Sequence, residues 1–225
     1  MPTLFHTIGK RDLQFKRSIA SDYVEILQEN REDSRMWVLN QSHNYRKLTQ
    51  SLLALLEDAD DEQKEHILSN ICFPMMEQAV DYVKTQEGSL DQLIICPTDQ
   101  PDPFESDTVF VGELIEQHMK SRLQRTYQIQ RLEVVYLQET LAPGSPKAPI
   151  YEFVAEEVVR PFKDPTGTTY ISQRPGLPDV SLAFLLAGLY QSFRYLTPMK
   201  DGFMHEEGLE ELEKRIDRYQ PSASS

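Results

Sequence analysis

The feature that most constrains this chain is an alternation of short apolar runs with longer segments of helical period. The runs cover residues 2–8, 90–97 ("LDQLIICP"), 127–138 ("YQIQRLEVVYLQ") and 168–173 ("TTYISQ"). "LDQLIICP" is too compact for a helix, and all four runs read as strands. Between them, Tyr45, Leu48, Leu52 and Leu55 or Leu56 recur at helical spacing, and Ile67, Ile71, Met75 and Ala79 continue the period. "DTVFVGELIEQHMKSRL" (107–123) and "IYEFVAEEVVRPF" (150–162) read as further helices. Strands spaced by helices predict an α/β fold, with a Rossmann-like, mostly parallel sheet flanked by helices.

Several local readings refine this plan. "RMWVLN" (35–40) fits a short strand with Trp37 as a packing residue, and residues 18–30 read as irregular or partly helical. "DADDEQ" (58–63) is an acidic turn and helix start, suited to the positive end of a helix dipole. Pro74 falls inside a helical period and predicts a break or kink. Asp107 reads as an N-cap. "VSLAFLLAGLYQSFRYL" (180–196) reads as one buried apolar helix. Residues 205–219 carry a thin stripe of Leu209, Leu212, Ile216 and Tyr219, which predicts a helix with little to bury. The expected organisation is a Rossmann-like domain over 1–197, then a helix and a disordered tail over 198–225.

Composition narrows the function classes. Hydrophobic residues make up 40% and charged residues 26%, enough for a sizeable core in a globular protein. The net charge of −13 argues against a broad basic surface for duplex nucleic acid. Cys72 and Cys96 each sit in an apolar segment and read as reduced thiols rather than a disulfide. The first residues have no basic stretch followed by a long apolar one, and no run is long enough to span a membrane. A cytoplasmic protein without membrane association is expected.

In open parallel sheets, ligands bind outside the carboxyl ends of the strands. That rule selects "GKRD" after the first strand, "PTDQ" after the second, "QETLAPG" after the third and "SQRPGLPD" after the last. Gly9 permits close backbone approach, while Lys10, Arg11 and Arg174 bring positive charge. Thr98, Asp99, Gln100, Ser172 and Gln173 bring donors and acceptors. Gly176 and Leu177 lead into a helix start, where free N–H groups suit a phosphate. These residue types point to a phosphate and base-edge reader, although the same types also fill the turns of any α/β protein. The five histidines (His6, His43, His66, His118 and His205) are scattered, and no pair has metal-ligand spacing. The nucleophile-elbow, zincin, Walker and GxGxxG patterns do not occur.

Two of these motifs resemble the CRISPR-associated Rossmann-fold (CARF) sensor domains. "TIGKRDL" is similar to the T-x-G-[TS]-[RS]-D turn that closes the first CARF strand. "SQRPGLPDVSLAFLLAGL" (172–189) occupies the place of the GG-T-P-x-M-like turn into an apolar helix. Lys10 stands where a small hydroxylic residue is common, and "RPGLPD" replaces the double glycine. The resemblance implies a homodimer whose paired pockets bind cyclic oligoadenylate, with no cofactor. Lys10, Arg11 and Arg174 would then offset ring phosphates, and Asp12 would hold Arg11. It further implies two roles: a metal-independent ring nuclease, or a sensor acting through a separate effector chain, since only about 28 residues follow position 197. For cleavage, a ribose 2′-OH would attack its own phosphate. Lys10, Arg11 and Arg174 would stabilise the developing charge, with Ser172 and Thr98 orienting the ribose. Readings from other classes are a nucleotide- or sugar-phosphate-modifying enzyme with Asp99 as base, and a non-catalytic interaction protein using its C-terminal helix.

Overall fold

The computed structural model describes residues 1–9, 12–16, 27–29, 36–39, 44–99, 107–138, 154–162, 166–172, 183–184, 186–188, 193–198 and 204–207. Strand β1 (Thr3–Thr7) leads into a small antiparallel sheet of β2 (Gln14–Lys16), β3 (Leu27–Glu29) and β4 (Met36–Leu39). Helices α1 (Tyr45–Asp58) and α2 (Asp61–Asn70) follow, then β5 (Ile71–Cys72), which joins the small sheet in the order β3-β4-β2-β5. Helix α3 (Pro74–Glu87) returns the chain to β6 (Gln92–Cys96) and β7 (Thr98–Asp99). Helix α4 (Val109–Leu114) passes through a π-turn (Ile115–Met119) into α5 (Lys120–Tyr127). The chain then forms β8 (Arg131–Val134), β9 (Leu137–Gln138), a π-turn (Val154–Val159) and 3-10 turn (Arg160–Phe162), β10 (Thr169–Ser172), β11 (Arg194–Pro198) and β12 (Met204–Glu207).

The main sheet has six strands in the order β12-β11-β10-β1-β6-β8. Five run parallel, and β12 pairs antiparallel with β11 at the edge. The expected α/β fold with a mostly parallel sheet flanked by helices is therefore the observed one. Alternation along the strands divides the core in two. Leu4, Leu93, Ile95, Leu132, Tyr170 and Leu196 face α1 to α5 on one side. Phe5, Ile94, Ile171 and Tyr195 face Val154, Val158, Phe184 and Ala187 on the other. Because both faces are covered, consecutive central residues are apolar where the strands are most enclosed, as in Leu4–Phe5, Leu93–Cys96 and Tyr170–Ile171.

Local chemistry explains where the elements begin and end. Asn44 accepts from the Lys47 amide at the start of α1, and Asp60 forms a capping box with Gln63 at the start of α2. Pro74 does not kink a helix: it occupies the first turn of α3, where its missing N–H costs nothing, and β5 separates α2 from α3. Gly88, at φ 77°, ends α3 in the left-handed region that glycine tolerates. Gln128, at φ 48°, ends α5 in the same way.

Four elements differ from the sequence reading. The helix expected over 180–196 stops short, since Arg194 already pairs with Tyr170 in β11. An apolar run buried on both faces carries no period to separate strand from helix. Residues 204–207, expected to run into a helix at 205, add β12 to the open edge of β11. The run 127–138 splits, because Tyr127 still belongs to α5 and Leu137–Gln138 leaves the main sheet to pair with β7. Within 18–30, Leu27–Glu29 is a strand paired with β4. The remainder of the stretch expected over 205–219 lies outside the described residues, as does the tail.

Helix α4 approaches the strand ends closely. A methyl group at Gly112 would lie 2.6 Å from Pro97 Cγ and 2.8 Å from Tyr136 Cε1, both in rigid rings. Gly112→Ala should therefore destabilise the protein by about 1–3 kcal/mol through overpacking, more than alanine's helix propensity returns. Urea unfolding tests this; an unchanged or raised midpoint would show that the helix can move away freely.

Candidate functional site at the switch point of the sheet

Chain order and strand order diverge at β1. From β1 the chain builds outward to β6 and β8, then crosses back to β10 and β11 on the other side. The carboxyl ends of β1 and β10 thus flank the switch point, where an open α/β sheet leaves a crevice. His6 lies beside Ser172 in register, and the Thr7 hydroxyl donates to the Ser172 carbonyl at 3.4 Å.

Five of the expected site residues are described. Gly9 and Asp12 close a tight turn directly after β1. The Asp12 amide donates to the Gly9 carbonyl at 3.0 Å, and the Gly9 amide donates to Asp12 Oδ2. The Asp12 side chain is turned inward and is 1% exposed; its other oxygen lies 3.5 Å from His6 Nε2. Ser172 is buried at the end of β10. Thr98 is buried too, and its amide donates to Thr108 Oγ1 at 2.9 Å. Thr108 in turn donates from its amide to the Thr98 carbonyl and from its hydroxyl to the Ile8 carbonyl at 3.4 Å. This threonine pair ties the end of β1 to the start of α4. Asp99 is half-buried beside Glu113. Lys10, Arg11, Gln100, Gln173, Arg174, Gly176 and Leu177 lie outside the described residues.

The structure adds two residues that sequence reasoning did not place at the site. Asp107 is no N-cap, because that position belongs to Thr108. Instead its buried carboxylate accepts from Arg46 at 2.6 Å, joining α1 to the start of α4. Arg46 also lies over the Phe110 ring, 5.6 Å from its centre. His6 is the other omission: it is 3% exposed and faces Asp12. Nothing in the spacing of the histidines marks it. Its place one residue before the carboxyl end of the first strand is the available signal.

Acidic groups gather around the β6 end. Glu113 is held above the usual carboxylate range by burial, then by Asp99 and Glu116, with Arg46 opposing them. The Tyr136 hydroxyl is pushed up by burial and by its bond to Glu116, at 3.1 Å. Among the described residues, no three His, Cys, Asp or Glu side chains converge as a metal site. No described helix is long and apolar enough to cross a membrane. Both cysteines are free, and burial followed by Glu77 pushes the Cys72 thiol up to about 12, so it is not a thiolate at neutral pH.

A raised carboxyl pKa means that folding disfavours the ionised form of Glu113. That cost is absent in acid, appears as pH rises through the ordinary glutamate range, and is complete above the raised value. Glu113→Gln should therefore raise the urea midpoint at pH 7 and match the wild type below about pH 4. A midpoint lowered at pH 7 would mean that Arg46 outweighs the acidic neighbours.

Compared with protein-family models and with curated proteins, the chain matches none, so its assignment rests on its own geometry as an α/β fold with a six-stranded, mostly parallel sheet.

Proposed function

We propose that the chain binds a phosphate-bearing nucleotide at the crevice between β1 and β10, and that this ligand is a cyclic oligoadenylate held across the two-fold axis of a homodimer. One observation carries the reading: the strand order brings together the ends of β1 and β10. In sequence, these are the two strands followed by "GKRD" and "QRPG". Three cations, Lys10, Arg11 and Arg174, thus follow the two strand ends that flank one crevice, on a chain of net charge −13. A local cationic site on an acidic protein suits a small polyanion better than an extended nucleic acid.

The resemblance of "TIGKRD" and "SQRPGLPD" to CARF turns selects the cyclic ligand. A ring of repeating adenylates fits a two-fold axis, each subunit offering the same surface to half of it. Cleavage would proceed by attack of a ribose 2′-OH on the adjacent phosphorus, forming a cyclic phosphate and releasing the 5′-oxygen, which takes up a proton. Lys10, Arg11 and Arg174 would stabilise the charge on phosphorus-bound oxygen. Thr98 and Ser172, the residues assigned to orient the ribose, are both buried at strand ends, so they would act on it through the backbone that they hold in place.

Thermal-shift and calorimetric titration with cyclic tri-, tetra- and hexa-adenylate, mononucleotides and orthophosphate separates the readings. Stabilisation by one ring size supports the proposal, whereas a preference for mononucleotides supports a nucleotide-modifying enzyme with Asp99 as base. Arg174→Ala should weaken ring binding by about 1.5–3 kcal/mol, the scale of a charge-assisted hydrogen bond, with little change in the ligand-free melting temperature. Lys10→Ala with Arg11→Ala should lower affinity and abolish any cleavage at saturating ligand. Sedimentation with ligand should give twice the 26.1 kDa chain mass; a monomer would overturn the shared pocket.

A further inference from the structure

We propose that His6 and Asp12 form a proton-bridged pair that holds the turn after β1 closed, making both of them positioning residues for the anion site. Only the words "anion site" rest on the function proposed above; the pair stands on its own geometry.

Asp12 closes the turn from both sides. Its amide donates to the Gly9 carbonyl, and its Oδ2 accepts from the Gly9 amide. The side chain is 1% exposed, so its charge is not stabilised by bulk water. Its second oxygen, Oδ1, has no hydrogen-bond partner, and the same holds for both ring nitrogens of His6. These unsatisfied groups face one another, with His6 Nε2 3.5 Å from Asp12 Oδ1. A buried carboxylate oxygen and a buried imidazole without partners each cost free energy. A single proton on Nε2, directed at Oδ1, satisfies these two atoms once the gap closes by about 0.3 Å, and leaves Nδ1 as the remaining unpartnered atom.

The surroundings favour that arrangement. Leu4 packs toward the helices α1 to α5, and His6, two residues on, shares its face. From α1, Tyr45 lies close enough for the Asp12 charge to act on it, and burial followed by that charge keeps its hydroxyl protonated. From β10 and β6, the register neighbours of His6 are the uncharged Ser172 and Ile95. Gly9 and Asp12 bracket Lys10 and Arg11 in sequence, so whatever fixes the two ends of the turn also fixes where these cations depart from and rejoin the fold.

Nuclear magnetic resonance on protein labelled with ¹⁵N-histidine and ¹⁵N-glycine tests the pair directly. The wild type should show a slowly exchanging ring N–H on His6 and a Gly9 amide far downfield, as expected for donation to a carboxylate. Asp12→Asn preserves shape and an acceptor for Gly9 while removing the charge; it should move the Gly9 resonance upfield and speed exchange of the ring proton. His6→Gln, which leaves Asp12 in place, should move the Gly9 resonance as well, and it serves if Asp12→Asn does not fold. Both variants should weaken binding of whichever ring (cyclic tri-, tetra- or hexa-adenylate) the wild type takes, by about tenfold or more. Absence of a protected His6 ring proton, or a Gly9 resonance indifferent to both substitutions, would overturn the pair. A Gly9 resonance that moves while affinity stays constant would overturn the positioning role. A wild type that shows the signature and binds no nucleotide would uphold the pair and overturn the function.

Discussion

Everything in this fold hangs on the double pairing of β1. It hydrogen-bonds to β6 on one side and to β10 on the other, and its Leu4 and Phe5 are fully buried in opposite cores. A strand buried on both faces and paired on both edges has little freedom to shift register, because a slip of one residue would exchange the two core faces. Gly9 and Asp12, hydrogen-bonded to each other directly after β1, thus stand at the end of the most constrained strand of the sheet.

A second layer of constraint joins the helices to the sheet at its far edge. The Tyr82 hydroxyl on α3 donates to Glu206 on β12 at 2.8 Å, and Tyr170 on β10 donates to Glu87 at the end of α3 at 2.7 Å. Arg194 on β11 lies over the Tyr170 ring and 3.7 Å from Glu206. These contacts are partly exposed, so each contributes modestly. Together they fix the angle of α3 against three strands. At the opposite end, the Thr98–Thr108 pair and the Arg46–Asp107 pair hold the start of α4 against the carboxyl ends of the strands.

The sequence discloses those parts of the architecture whose signal is local. Runs such as "LDQLIICP" and "TTYISQ" are short, apolar and bounded by turn residues, so β6 and β10 are legible as strands. The acidic helix start over 58–63 is legible for the same reason, with Asp60 as its cap, whereas the cap expected at Asp107 falls one residue later at Thr108. β11 and β12 are not, because their strand character comes from the open edge they meet rather than from any period of their own. Phe193, Tyr195 and Leu196 would suit a buried helix equally well. The site divides along the same line. Gly9 and Asp12 sit next to each other in a turn that the sequence displays. His6 faces Asp12 only because a strand ends and folds back there, and Arg46 meets Asp107 across 61 residues of chain. Pairings of that kind carry no spacing rule, so they emerge only with the fold.

The position of β10 has a consequence for how such a chain comes into being. The register that matches Thr3 with Thr169 joins the first strand to one made much later in synthesis. Until β10 emerges from the ribosome, β1 can pair with β6 alone, and its other edge presents unpaired amides and carbonyls flanked by Leu4 and Phe5. An open, apolar edge of that kind invites association with other chains. The fold therefore completes late, through contacts of long sequence separation, which slows folding relative to a protein built from neighbours. The junction between the carboxyl ends of β1 and β10 comes into existence only once β10 has docked, so a truncated or stalled chain carries Gly9 and Asp12 without the neighbouring strand end at Ser172.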